Sequence, residues 1–234
     1  MIPEGTRYYV IDSETTSADP DRGVVEVGWV EIGQDFNILG EVESIIDPQK
    51  LIHPAASGVH GLVNKDCENS PTLEEYFSAD DPSCFGKPIP GPAVVIGHRV
   101  AFDTHTMGPH IDRLVAEVCT LRMVRRVYPH MDDFKLQTLI FALNLPRAKD
   151  AHRVLSDVYS ALALTKHLCE RMGCTLKEFA EASQVPFELP IMIMGKHKGL
   201  PMNQVPRSWL GWALSNMTDL DPDLRYTFRR HLNN

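Results

Sequence analysis

Five consecutive residues, Ala93–Gly97 (AVVIG), carry no polar side chain and constrain the fold more than any other stretch. A strand without alternation is buried on both faces, a pattern typical of parallel strands in layered α/β sheets. Three earlier runs are strands of another kind. Arg7–Ile11 (RYYVI) is β-branched and aromatic, Val24–Ile32 alternates with period two, and Ile38–Ile46 ends at Asp47-Pro48. Glycine and Asp-Pro signals separate them, which predicts an antiparallel meander. Helical patterns follow at 102–115, 120–127, 134–143, 156–172 and 175–183, and a short apolar run, Val115–Cys119, fits one more strand. Residues 78–92 hold four prolines and two glycines and read as a loop. A meander followed by strands alternating with helices predicts an α/β domain on a mixed sheet flanked by helices.

The length of 234 residues predicts one domain with a small appendage, and 43% hydrophobic residues exclude wholesale disorder. The main domain is expected over 1–183, a linker over 184–190 with its two prolines, and a small α+β module over 191–234. That module reads as a strand (Ile191–Met194), a Gly-Lys-His-Lys-Gly turn, a helix around Ser208–Leu214 and a final helix from about Pro222. No apolar run reaches the ~18–20 residues of a membrane span. Met1 leads into a mixed polar stretch without a signal-peptide pattern, so the expectation is a cytoplasmic protein with no membrane contact. The five cysteines (Cys67, Cys84, Cys119, Cys169, Cys174) contain no CxxC pair and argue against a disulfide framework or zinc finger. The net charge of −8 lacks the basic footprint of a nucleic-acid binder. It is uneven, however: from Pro190 onward six Lys/Arg face three Asp, leaving −11 on the first 189 residues. This fits a metal-carboxylate enzyme with an accessory module, and equally a plain soluble domain.

Three clusters carry candidate chemistry. Asp12-Ser13-Glu14 follows the first strand, and side chains two apart in a strand share a face, so both carboxylates converge at a sheet end. Like charges so placed are costly unless a cation lies between them; an acidic loop after a strand would read the same way. Gly97-His98-Arg99-Val100-Ala101-Phe102-Asp103 follows the buried strand, with Asp103 near a helix start, where capping and the helix dipole also favour a carboxylate. In Ala151-His152-Arg153-Val154-Leu155-Ser156-Asp157, His152 and Asp157 are five apart, about 500° of helical rotation. They converge only if His152 is on the preceding loop and Asp157 in the first turn, for which Ser156 is the predicted N-cap.

In this order and context the clusters resemble the DEDDh (DnaQ-like) group of 3′→5′ exonucleases, on the ribonuclease-H-like fold with its mixed five-stranded sheet. Asp12 and Glu14 match that family's first motif, Asp103 with His98 and Phe102 the second, and His152 with Asp157 the third. His60-Gly61-Leu62, Cys119-Thr120-Leu121, Tyr128-Pro129 and Lys135–Leu139 resemble further stretches, so the likeness covers about residues 7–172. The tail, with Met194–Pro201, Val205-Pro206, Trp209-Leu210 and Trp212, resembles the small C-terminal module of exodeoxyribonuclease X-type proteins.

The resemblance implies two Mg²⁺ or Mn²⁺ ions about 3.5–4 Å apart. Asp12 would bridge both, Glu14 and Asp157 would complete the first site, and Asp103 would hold the second through water. His152 would be the general base. Ser13, Thr15, His60, Gly61, Leu62, His98, Arg99 and Phe102 are the implied substrate contacts, with Leu62 on the last base or in the core. The implied substrate is DNA, mainly single-stranded or frayed 3′ ends, released as 5′-mononucleotides. RNA trimming and a non-catalytic nucleic-acid-binding adaptor are the alternatives, and a homodimer lies within the family's range. Lys196, Lys198 and Arg207 beside aromatic residues are candidate backbone contacts, with Trp209 and Trp212 as a small core. Two features depart from the family pattern. Arg99 stands where Asn is common, to hold a phosphate or point to solvent, and the polar loop Thr15–Gly23 lacks an apolar wedge for duplex ends.

Overall fold

The computed structural model describes residues 1–78, 89–147 and 153–233. Its strands are β1 (Arg7–Thr15), β2 (Val24–Ile32), β3 (Ile38–Ile45), β4 (Ala93–Gly97) and β5 (Leu114–Cys119), in sheet order β3-β2-β1-β4-β5. The first three form the antiparallel meander, while β4 runs parallel to β1 and β5 parallel to β4. This is the mixed five-stranded sheet of the ribonuclease-H-like fold. In chain order the helices are α1 (Pro54–His60), α2 (Leu73–Ser78), α3 (Ala101–Met107), α4 (Thr120–Val127), α5 (Leu136–Ala142), α6 (Val154–Met172), α7 (Leu176–Ser183), α8 (Arg207–Asn216) and α9 (Pro222–Asn233).

Strand alternation sorts the core into two layers. Tyr8 and Val10 of β1 join Val30, Val94 and Ile96 under Val158, Leu164 and Phe179 of α6 and α7. Tyr9 and Ile11 join Val27, Trp29 and Val95 under Tyr76, Phe77, Val100 and Met107, on and around α2 and α3. Each fully buried aliphatic side chain contributes about 1.5–3 kcal/mol. The same alternation continues into the polar end of β1. Asp12 and Glu14 inherit the face of Tyr8 and Val10, toward α6, and Ser13 the face toward α3.

Sequence reading ends β1 at Ile11, yet the strand runs on to Thr15. Its partner explains why: β2 supplies Gly28, Val27 and Glu26 opposite Asp12, Ser13 and Glu14. A complete ladder holds residues of low strand propensity in place. The helix predicted over 102–115 instead stops at Met107, where Gly108-Pro109 begins a 3₁₀ turn, and β5 starts at Leu114. Helix α6 begins at Val154 with Arg153 as N-cap, so Ser156 is not the cap, although Asp157 does lie in the first turn.

The C-terminal segment has its own buried cluster, including Leu189, Met192, Met202, Leu210, Leu224 and Phe228. The strand expected at Ile191–Met194 reduces to one bridge, Ile191 to Pro201, so the segment is helical rather than α+β. The expected linker is packed into it as well. The Leu189 N–H donates to Thr227 Oγ1 at 2.9 Å and the Phe187 N–H to Asp223 Oδ1 at 3.2 Å. Asp223 also receives Arg122 of α4 through bonds of 2.8 and 2.7 Å, a bidentate pair that fastens this segment to the sheet domain. Of the two tryptophans, Trp209 packs edge-on to Phe228, whereas Trp212 is 54% exposed and outside the core. Among the described residues no helix is long and apolar enough to cross a membrane.

Candidate active site

Asp12, Glu14 and Asp157 meet at the end of β1, each offering an oxygen within 4.8 Å of the others. The first two arrive by alternation in the strand, the third from the first turn of α6. That helix can lie so close because Gly28 stands opposite Asp12: a Cβ on Gly28 would sit 2.7 Å from Val154 Cγ1. A second fastening lies beside it. Glu26, paired with Glu14 and wholly buried, accepts bonds from Arg153 Nε (3.2 Å) and Nη2 (2.5 Å) and from the Val154 N–H (3.3 Å). Asp157 Oδ1 accepts from Gln137 Nε2 at 2.6 Å, which orients the carboxylate. Asp103, 3% exposed on α3, lies outside the trio and accepts from Ser13 Oγ at 2.8 Å.

The electrostatics follow from this crowding. Burial, together with the charges of Asp103, Glu14, Asp157 and Glu26, holds the Asp12 carboxyl well above the usual range. Burial and the neighbouring Asp157, Glu26 and Asp103 push Glu14 up to about 8, with Arg153 opposing. Burial raises Asp103 to about 7 against the hydrogen bonds from Ser13. Hard oxygen donors that repel one another at a half-buried spot fit divalent cations, and the donor set contains no soft sulfur or imidazole ligand among the described residues.

The raised values also fix a sign for stability. In the unfolded chain these carboxyls ionise near their ordinary 3.8 and 4.5, whereas in the folded chain Asp103 and Glu14 hold protons to about 7 and 8. Across that window the folded state binds more protons, so the metal-free protein should lose stability from about pH 4 to about pH 8. Thermal melts in EDTA across this range check it. Glu14→Gln should flatten the fall, and an equally steep decline in that variant would assign the slope to other groups.

The remaining expected residues divide. Glu14, Thr15, His60 and Phe102 line a hollow of about 420 Å³ beside the trio. The His60 ring accepts the Leu62 N–H at 3.1 Å, while Gly61 caps α1 in the left-handed conformation at φ +79°. Leu62 is 7% exposed and packs with Val25, Ile52 and Cys67, so it belongs to the core rather than to a base-stacking surface. His98 is committed too. Its Nδ1 pairs with Thr120 Oγ1 (2.9 Å), its Nε2 with the Phe134 carbonyl (2.8 Å), and burial pushes it down to about 4. Both nitrogens thus tie the loop after β4 to Thr120 of α4 and to Phe134. Arg99 is exposed and left-handed, at φ +76°. Lys196 and Lys198 are exposed, whereas Arg207 donates to the carbonyls of His231 (2.7 Å) and Leu232 (2.6 Å), holding the end of α9. His152 lies outside the described residues.

Four contributors are absent from the sequence reading of the site: Glu26, Gly28, Gln137 as a partner of Asp157, and Arg22. The Arg22 guanidinium stacks 3.7 Å from the Phe102 ring centroid and donates to the Phe102 carbonyl at 2.9 Å. Only Gln137 carried a signal, as part of the Lys135–Leu139 stretch.

An acidic cluster suited to divalent metal, on the central strand of a ribonuclease-H-like sheet, defines a metal-dependent hydrolase. The chain belongs to the exonuclease family RNase_T, whose family model matches residues 9–165. It is similar to exodeoxyribonuclease 10 of Escherichia coli (strain K12), with 24% identity over 96% of this chain and 98% of that protein. Among solved structures, exonuclease X in complex with 5′ overhanging duplex DNA superposes with a TM-score of 0.61 at 23% identity, covering 75% of this chain and 99% of the other. Escherichia coli exonuclease I in complex with a dT13 oligonucleotide gives 0.59 at 19% identity, covering 72% and 42%. These two likenesses are of fold.

Proposed function

We propose that this chain is a 3′→5′ exodeoxyribonuclease that releases 5′-mononucleotides, mainly from single-stranded or frayed DNA ends. The observation that carries this reading is the convergence of Asp12, Glu14 and Asp157 in a chain of the exonuclease family. The likeness to an exodeoxyribonuclease over 96% of the chain, C-terminal segment included, favours DNA over RNA. Asp12, Glu14 and Asp157 would hold one Mg²⁺ or Mn²⁺ and Asp103 a second, and when bound these ions neutralise the scissile phosphate and activate water.

The chain's own residues do the rest. His152 takes the proton of the attacking water, a role that suits imidazole as the side chain whose unperturbed charge change falls nearest neutral pH. The Glu26–Arg153 pair, with the Glu26 bond to the Val154 N–H, holds the start of α6 against β2. Gln137 keeps Asp157 turned toward Asp12 and Glu14. Thr15, His60 and Phe102 receive the terminal nucleoside beside Glu14, with Arg22 covering one face of the Phe102 ring.

A 5′-labelled single-stranded DNA incubated with the protein and Mg²⁺ should shorten from its 3′ end, stop in EDTA, and outpace a matched RNA. Faster RNA cleavage would transfer the assignment to RNA trimming, and intact DNA that still shifts in a gel would favour the adaptor. His152→Ala should keep the Mn²⁺-induced rise in melting temperature and lose rate; a parental rate would place the base elsewhere.

A further inference from the structure

A cleft of about 650 Å³ opens between the loop after β4, the segment joining α4 to α5, and residues 191–199 of the C-terminal segment. We infer that it is a binding track for the single strand upstream of the scissile bond, with phosphates held by Arg99, Lys135 and Lys198 from opposite walls. This rests on the exonuclease reading above.

Three observations support it. The first is charge. Four cations (Arg99, Arg125, Lys135, Lys198) line the cleft against two acids, Asp132 and Asp133, in a chain whose net charge is −8. Asp133 is already engaged, accepting the Lys135 N–H at 3.0 Å and Thr138 Oγ1 at 3.1 Å. Arg99, Lys135 and Lys198 are exposed and make no ion pair among the described residues, whereas Arg7, Arg122, Arg125, Arg153 and Arg230 all do. The second is continuity. Lys135 lies two residues before Gln137, which holds Asp157, and Arg99 lies four before Asp103, so each of these two walls is joined through a few residues of chain to a group of the carboxylate site. The third is Arg99 itself. It adopts φ +76°, a left-handed conformation that a long side chain disfavours and that Asn or Gly fits better. Keeping Arg there points to a use for its guanidinium, and a planar fork that matches phosphate is that use. The apolar part of the wall, Met131 with Ile193, suits the bases of a strand read without sequence preference.

Grooves of this kind cover about 4–16 nucleotides, so a twelve-nucleotide strand should fill the cleft and a three-nucleotide strand should not. The test is steady-state hydrolysis of both lengths by the full chain and by Lys198→Glu, with the exposed Lys166→Glu on α6 as a control of equal charge change. For Lys198→Glu, KM on the longer strand should rise about tenfold with kcat within about twofold, its salt dependence should weaken, and KM on the shorter strand should hold. Lys166→Glu should match the parent on both. An unchanged KM for Lys198→Glu on twelve nucleotides, or an equal loss on both lengths, overturns the track; so does an equal loss in Lys166→Glu. Lys198→Gln, expected to fall between parent and Lys198→Glu, guards against misfolding of the charge-reversed variant. A parent that hydrolyses neither length refutes the exonuclease reading itself, a result distinct from all of these.

Discussion

Asp12→Asn should lower hydrolysis by about three to four orders of magnitude and, in EDTA near pH 8, melt at a higher temperature than the parent. The two effects share one cause. Asn keeps the shape of Asp and still accepts hydrogen bonds, but offers a cation a neutral oxygen. Losing several kcal/mol of charge stabilisation, at 1.36 kcal/mol per tenfold, gives the rate effect. The thermal effect has the opposite sign because Asp12 sits where burial, Asp103, Glu14, Asp157 and Glu26 all oppose its ionised form. Removing that charge relieves a cost that the metal-free fold carries at neutral pH. A divalent ion at a hundred times its Kd should stabilise the parent by about 2.7 kcal/mol, roughly 5–11 °C for a chain of this size, and the variant far less. If Asp12→Asn melts below the parent in EDTA, Asp12 is a structural hydrogen-bonding residue. If the metal-induced rise survives intact, it is not a ligand.

The parts of this site legible in the sequence are those whose geometry is local. Asp12 and Glu14 share a face because they are two apart in a strand, and Asp157 reaches them because it lies in the first turn of a helix. The parts that were not legible are pairings across the chain. Glu26 and Arg153 are 127 residues apart, and nothing near either one shows that they meet. Val24–Ile32 reads as an alternating strand, so Glu26 passes for a solvent-facing acid. With α6 over that face, the carboxylate is wholly buried and needs its arginine. Similarly, Ser156 is a better local cap than Arg153, but the Glu26 bonds to Arg153 and to the Val154 N–H start the helix earlier. His98 reads as a site residue by proximity to Asp103, whereas its two bonds are to Thr120 and Phe134, 22 and 36 residues away. At the C-terminus, prolines at 186 and 190 mimic a linker although Phe187 and Leu189 between them face the module's core.

Gly28→Ala tests whether this close approach of helix and strand sets the catalytic geometry. The added Cβ would lie 2.7 Å from Val154 Cγ1 and 3.0 Å from Cγ2, so either Val154 moves or the first turn of α6 lifts from β2. A buried valine at 0% exposure has little room to move, and overpacking of this kind costs about 1–3 kcal/mol. The melting temperature should fall by about 2–4 °C for each of those kilocalories. The kinetic loss should exceed what that modest destabilisation implies. Asp157 is three residues from Val154 on the same turn, and a displacement of about 1 Å at a reacting centre costs roughly a hundredfold. The loss should therefore appear in kcat, with KM for long strands nearly unchanged and the metal-induced stabilisation reduced. Adding Val154→Ala removes both clashing methyl groups and leaves only a Cβ contact at 3.4 Å. Gly28→Ala with Val154→Ala should thus recover most of the rate even though it packs less well than the parent, a coupling that two independent destabilisations would not produce. Parental kcat in Gly28→Ala, or a double variant slower than either single one, would mean that Asp157 is positioned by Gln137 and the Glu26–Arg153 pair without help from this contact.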